Sequence, residues 1–248
     1  MSDIEAIDSL FIAKHILKQL DINWSESTVA KSHTPLLPAV REAVSSIEAI
    51  ENSWEHQSTS TAHTYGRKEK DETIKLWSVP GKTAQVLRDL VILTQSKNVL
   101  EIGTSAGYST LFLADGAKKN NGRIVTIEFL HEKANLARSF FKRSGLKNIT
   151  LVEAEAGKTL GAWGFGKVDF VFLDADKENY ANYLDPLIDI MKPGAIIVAD
   201  NVNDYGHLME NYLHRISGTH LPKSRTDKRV KSYYLAALDN GLIITKKL

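Results

Sequence analysis

The chain has 248 residues, and 31 Lys and Arg stand against 30 Asp and Glu, a formal charge of +1 that gives no global field for nucleic acid. There is no cysteine, which excludes disulfides, thiolate metal sites and a cysteine nucleophile. The length suits one large α/β domain with a helical appendage, no apolar run reaches membrane-spanning length, and with no signal-peptide pattern the expected compartment is the cytoplasm.

Residues 1–20 space Ile4, Ile7, Leu10, Phe11, Ile16, Leu17 and Leu20 mostly three and four apart, an amphipathic helix whose stripe needs a surface to cover. Asp21 to Thr34 reads as a polar connection. Pro35 and Pro38 open a second helix over 38–56, with Val40, Val44, Ile47, Ile50 and Trp54 on one face. Gln57 to Tyr65 reads as loop. A turn at Ser78 to Lys82 leads into a helix carrying Val86, Leu87, Leu90, Val91 and Leu93.

Strand and helix signals then alternate. The predicted strands are Val99 to Ile102, Arg123 to Glu128, Ile149 to Val152, Val168 to Leu173 and Ala195 to Ala199. Between them come helices from Tyr108, over His131 to Ser144 before Gly145, and over Lys177 to Met191 before Pro193-Gly194. Such alternation means right-handed crossovers and a mostly parallel sheet. The end differs: Tyr233 to Leu238 and Leu242 to Thr245 flank Asp239-Asn240-Gly241, an antiparallel hairpin signal.

The first strand runs into Gly103-Thr104-Ser105-Ala106-Gly107 and then a helix. A dinucleotide fingerprint would need G-x-G-x-x-G for a pyrophosphate. Here the glycines are four apart and Glu101 stands two residues before the first, where a carboxylate suits a cation. S-adenosylmethionine, with an ammonium, a sulfonium and no phosphate, meets those demands. A bare strand-to-helix turn with no ligand is the plain alternative. Glu128 ends the second strand, where a carboxylate can accept from both ribose hydroxyls.

The fourth strand ends in Asp174-Ala175-Asp176-Lys177 and the fifth in Asp200-Asn201. If these strands are neighbours, Asp174, Asp200 and Asn201 converge, and an all-oxygen set suits a hard cation such as Mg²⁺. Alternatively the acids are turn formers and caps, a part that the place of Asp176 just before the helix suits. Lys177 opens a helix, an unfavourable place for a cation beside the macrodipole; near a dication its amine can serve as a base. The tract Lys223 to Lys231 is the densest basic run and reads as a solvated loop or an anion contact.

Val99 to Ser109, Phe172 to Tyr180 and Asp200-Asn201-Val202 resemble the cation-dependent class I O-methyltransferases, the group of caffeoyl-CoA and catechol O-methyltransferases. The resemblance covers roughly residues 75–248. It implies a Rossmann-like class I methyltransferase fold, α/β, with a mostly parallel seven-stranded sheet ending in an antiparallel hairpin. Residues 1–74 become a helical amino-terminal extension packing on the core or a partner subunit, and 75–248 the methyltransferase domain. It further implies that Asp174, Asp200 and Asn201 take the metal positions, for Mg²⁺ or another divalent cation such as Mn²⁺ or Ca²⁺, and Lys177 the catalytic position. Glu101, Gly103, Thr104, Ser105 and Ser109 take cofactor positions, with Glu128 at the ribose, Val79 closing over the cofactor, Ala156 by the adenine in the loop after the third strand, and Asp174 in this set as well.

The expected activity is transfer of a methyl group from S-adenosylmethionine to a hydroxyl of a catechol-like or caffeoyl-type phenol, in a homodimer with no membrane association, with Lys177 taking the proton. Two rivals share the fold: an RNA-base O-methyltransferase using the basic tract on phosphates, and a non-catalytic cofactor-binding module. The loop Val202 to Gly206 departs from the plant enzymes, which carry tryptophan and asparagine there. Glu153 to Gly157 departs from the usual residues around the adenine.

Overall fold

The computed structural model describes residues 8–55, 75–217 and 227–248. Helix α1 (Ser9–Gln19) is capped by Asp8, whose carboxylate accepts the Leu10 N–H. Leu10, Ile12, Ala13, Ile16, Leu17 and Leu20 are buried, and the helix packs on α4 (Gly81–Leu93) of the same chain. Phe11 departs from the expected stripe: it is 62 % exposed, because at 100° per residue it sits half a turn away from Leu20. Ile4 and Ile7 lie outside the described residues.

The expected polar connection contains a helix, α2 (Glu26–Ser32). Ser25 and Thr28 form a capping box that starts it, and Val29 and Thr28 are buried. With threonine in place of the usual Glu or Gln at the third position, the box is easy to overlook in the letters. Helix α3 (Pro38–Glu55) follows and leans on α5 (Tyr108–Lys119) and α6 (His131–Ser144). The loop expected over Gln57 to Tyr65 lies outside the described residues.

Strands β1 (Asn98–Ile102), β2 (Arg123–Glu128), β3 (Ile149–Glu153), β4 (Val168–Leu173), β5 (Met191–Ala199), β6 (Val230–Leu235) and β7 (Leu242–Lys247) form one sheet in the order β3-β2-β1-β4-β5-β7-β6. The first five are mutually parallel, and β7 runs antiparallel between β5 and β6. The seven-stranded, mostly parallel sheet with its terminal hairpin is as expected. One apolar cluster joins β-sheet residues such as Val99 and Phe172 to α1 through α6. The other joins Leu100, Leu173 and Ile197 to α7 (Ala156–Gly161), α8 (Tyr180–Ile190) and α10 (Glu210–Ser217).

Several boundaries shift. Ala156 is not in a loop but opens the short α7. Lys177–Asn179 is a single 3₁₀ turn, and α8 starts only at Tyr180. Pro193 and Gly194 fall inside β5, where the register against β4 shifts between Val168 and Phe170. The hairpin strand β6 stops at Leu235, so the connection is longer than three residues: Asn203 draws its carbonyls at Ala236 and Asp239 toward α9 (Val202–Tyr205). Of the basic tract, 223–226 lie outside the described residues, Arg229 pairs with Asp227 and Asp185, and Lys231 pairs with Asp21. Among the described residues no helix is long and apolar enough to cross a membrane.

The extension is fastened by a buried charge. Arg88 on α4 is 1 % exposed; its Nε donates to Asp115 on α5 at 2.8 Å, and its Nη atoms donate to the carbonyls of Ser32 and Thr34 at 3.2 and 2.6 Å. Beside it, Asp89 accepts the Ser9 hydroxyl at 2.8 Å. Arg88→Met leaves Asp115 buried and unpaired and strips two carbonyls, so urea unfolding should register a loss of about 3–5 kcal/mol. Lys231→Ala, removing an exposed pair, should scarcely move the midpoint.

Burial pushes the Asp89 carboxyl up to about 6 from 3.8, against the pull of Ser9 and Arg88. A carboxyl with a raised pKa holds more protons in the folded than in the unfolded chain, so stability falls as pH rises from about 4 to about 6. Asp89→Asn should flatten that slope in stability measured across the window; an unchanged slope would assign it to another group.

Candidate functional site

The site begins where β1 ends. Gly103 has φ +101°, and its N–H donates to the Ile127 carbonyl at 3.0 Å. A Cβ there would overlap the Asp174 carbonyl, so only glycine lets the turn after β1 lie against the chain leaving β4. Gly107, φ +90°, caps α5, and a Cβ there would enter the Phe141 ring. Between them Ser105, φ +48°, donates its N–H to Glu128 Oε2 at 2.8 Å and its hydroxyl to the Leu76 carbonyl at 2.5 Å. The other Glu128 oxygen accepts the Leu130 N–H at 2.8 Å. Glu128 thus clasps the turn after β1 to the turn after β2.

Glu101 lies behind this turn and is fully buried. Its Oε1 accepts the Ser109 hydroxyl at 2.6 Å, and its Oε2 accepts the hydroxyls of Thr110 and Thr126, each at 2.5 Å. The Thr104 hydroxyl extends the chain to Thr126 at 2.5 Å. Burial pushes the Glu101 carboxyl up to about 7, opposed by those three hydroxyls. Glu101 fastens α5 to β1 and β2 from behind the turn.

Parallel pairing of Leu173 with Ala199 sets the ends of β4 and β5 side by side. The Asp174 N–H donates to the Ile102 carbonyl at 2.9 Å, and the Asp200 N–H to the Leu173 carbonyl at 3.2 Å. Lys177 Nζ, 6 % exposed as a residue, donates to Asp174 Oδ1 at 2.5 Å and to Tyr180 Oη at 3.0 Å. Tyr180 in turn donates to the Leu173 carbonyl at 2.9 Å, which leaves its oxygen facing Lys177 as an acceptor. Asn201 takes a left-handed φ of +66° at the start of α9.

Asp200 is the informative member. Its Oδ1 accepts the Asn201 N–H at 2.7 Å, while Oδ2 is buried with no partner among the described residues. Burial and the neighbouring Asp174 charge hold its carboxyl well above the usual range. An orphaned buried oxygen beside a second carboxylate and an amide fits a hard divalent cation, which would supply the missing contact and neutralise the like charges. The set is sparse: among the described residues no group of three or more His, Cys, Asp or Glu is arranged for a metal. Two acids and one amide would leave most of a cation's positions to water or other oxygens.

Gly103, Thr104, Ser105, Ser109, Glu101 and Glu128 form one contiguous cluster, and Asp174, Lys177, Asp200 and Asn201 a second one that touches it at Gly103. Val79, 6 % exposed, precedes α4 in the segment that Ser105 holds through Leu76. Ala156 stands apart, half-buried on the α7 and α8 side of the sheet. Sequence reasoning missed Lys133, a buried ammonium on α6 lying 4.6 Å from the centre of the Trp77 ring. It also missed Glu51 on α3, which accepts the Ser78 N–H at 2.9 Å. A lysine at a buried phase of its helix was the available signal for the first; nothing local marks the second.

The O-methyltransferase family model matches residues 55–248. A catechol O-methyltransferase of Niastella koreensis is 37% identical over 139 residues, covering 54% of this chain and 62% of the relative. One of Mycobacterium tuberculosis is 43% identical over 109 residues, 44% of this chain and 49% of the relative. The chain therefore spans about half to three fifths of the length of these curated relatives. Among solved structures, cofactor-bound Rv0187 from MTB has a TM-score of 0.65 at 26% identity, covering 85% of this chain and 90% of that one. The Bacillus cereus O-methyltransferase in complex with SAH, at 23% identity, has a TM-score of 0.64 over 91% of this chain and 98% of that one, a likeness of fold. With a matching family model over most of its length and this sheet order, the chain belongs to the O-methyltransferase family.

Proposed function

We propose that the protein transfers a methyl group from S-adenosylmethionine to a hydroxyl of a catechol-like or caffeoyl-type phenol, with the help of a divalent cation. The observation that carries this reading is the abutment of Gly103 on Asp174, which sets the glycine turn and the Asp174, Lys177, Asp200 cluster against each other. A methyl donor on the turn and an acceptor hydroxyl by the lysine would then be neighbours, and positioning supplies much of the acceleration. Names among the relatives, catechol and caffeoyl-CoA O-methyltransferase, support the acceptor class. The pairing of Arg229 and Lys231 with acids leaves little of the described basic tract for an RNA substrate.

Each residue has a task. The Ser105 N–H and Glu128 shape the donor pocket, and Glu128 offers its carboxylate to the ribose hydroxyls. Asp174, Asp200 and Asn201 would hold the cation, which as a Lewis acid lowers the pKa of an acceptor hydroxyl. Lys177, fixed by Tyr180 and Asp174, receives the acceptor's proton when it is present as the free amine. The buried position of Lys177 keeps that exchange away from bulk water.

With a catechol as acceptor, chelator should abolish methyl transfer from labelled cofactor, and Mg²⁺ or Mn²⁺ should restore it. Asp200→Ala should remove most activity and also Mn²⁺ binding seen by electron paramagnetic resonance, with the unfolding midpoint no lower, since the carboxyl it removes has a buried oxygen without a partner among the described residues. Full turnover in excess chelator would overturn the cation's role.

Glu128→Ala should weaken S-adenosylmethionine binding by about 1.5–3 kcal/mol, the range for hydrogen bonds to a charged group. Titration calorimetry reads this directly. An affinity equal to that of the unaltered chain would move the ribose away from the end of β2.

A further inference from the structure

Residues 75–80 cross in front of the glycine turn and are tied from three directions. The turn itself holds the Leu76 carbonyl through the Ser105 hydroxyl at 2.5 Å. Helix α3 holds the Ser78 N–H through Glu51 Oε1 at 2.9 Å. Helix α6 holds the Trp77 ring through the Lys133 ammonium, 4.6 Å from the ring centre. Trp77 adopts a left-handed φ of +51° and stays 48 % exposed, so its indole is displayed outward instead of being folded into the core.

Lys133 is an expensive residue to bury. It is 6 % exposed, and among the described residues the Trp77 ring is the group set against its ammonium. Its charge faces Glu128, Asp174 and Glu51, which places it beside both halves of the site and beside α3. Glu132 and Asn135, its neighbours on α6, are exposed, whereas Lys133 is buried. A second tie from α3 reinforces the same region: Glu48, one turn before Glu51, accepts the Tyr108 hydroxyl at 2.7 Å at the head of α5.

We propose that Glu51 and Lys133 are positioning residues that hold Trp77-Ser78 as a strap over the cofactor pocket, so that α3 of the amino-terminal extension is a working part of that pocket. This rests on the reading of the glycine turn as the S-adenosylmethionine site. The strap's backbone is pinned by one hydrogen bond to a charged acceptor and its ring by a desolvated cation, both strong per contact. Loosening either frees the segment that carries Val79 and lets bound cofactor escape.

The test uses the full chain and S-adenosylhomocysteine as probe in titration calorimetry, with thermal unfolding alongside. Lys133→Met keeps the apolar stem and removes the charge; Glu51→Ala keeps the helix and removes the acceptor. Each should weaken probe binding by about tenfold, the size of one charge-assisted contact. Lys133→Arg, which keeps a cation over the ring, and Glu51→Gln, which keeps an acceptor oxygen, should restore most of it. Trp77→Leu should match Lys133→Met, and the pair combined should lose no more than either alone. Binding at the unaltered affinity in both Lys133→Met and Glu51→Ala would overturn the strap while leaving the cofactor reading standing. Normal binding in Trp77→Leu beside a defective Lys133→Met would overturn it too, because the ammonium would then be meeting the ligand itself. No binding by the unaltered chain would sink the cofactor reading and the strap with it.

Discussion

The constraint on which the site depends is the absence of a side chain at Gly103. The turn after β1 and the chain leaving β4 pass so closely that a single carbon would drive them apart. The sheet makes this crowding unavoidable: β1 lies between β2 and β4, and Asp174 donates its N–H back to Ile102 at the very end of β1. With a Cβ at residue 103 the two strand ends could not share that register. The glycine turn and the acid and lysine cluster would then belong to separate surfaces.

Behind the turn, rigidity comes from a polar cage and not from apolar packing. Glu101, Thr104, Ser109, Thr110 and Thr126 tie β1, β2 and α5 through short hydroxyl contacts around one buried carboxylate. A carboxylate placed there costs desolvation, as its raised pKa records, and leucine would fill the space more cheaply. What the cage adds is direction: each hydroxyl has one acceptor to meet, so the turn has one shape. Asp200 shows the opposite balance. One of its oxygens is buried without a partner among the described residues, a cost the fold carries at the rim of the sheet.

Much of this was legible in the letters, and the reasons differ by element. The strands could be read because each is a short apolar run ended by a polar or glycine residue, and the hairpin because Asn-Gly accepts positive φ, which the structure takes at Gly241 and at Asp239 in place of Asn240. Strand-end acids such as Asp174 and Asp200 could be placed together because neighbouring parallel strands end at one edge. Helix α2 was missed since it is only seven residues long and its signal is a threonine-based capping box. The phase of Phe11 was misjudged because it sits half a turn from Leu20, off the buried stripe of α1. The contacts of Glu51 and Lys133 were hidden for a stronger reason, although the buried phase of Lys133 on its helix was a signal. Their partners are 27 and 56 positions away, and no periodicity encodes a contact between a helix and a loop.

These long-range ties change what the amino-terminal region does. Helix α1 covers α4 with an apolar stripe, and α2 is held by Arg88, so both depend on a helix that runs directly out of the strap. Helix α3 meets the strap itself at Ser78 and the head of α5 at Tyr108. The strap is therefore bounded on one side by α4, anchored in the α1 and α2 layer, and on the other by α3. A segment fixed at both flanks and at its ring needs no hydrophobic partner above it to keep its course. That explains how Trp77 stays half-exposed in a left-handed conformation: the ties around it, and not burial of the indole, hold it in place.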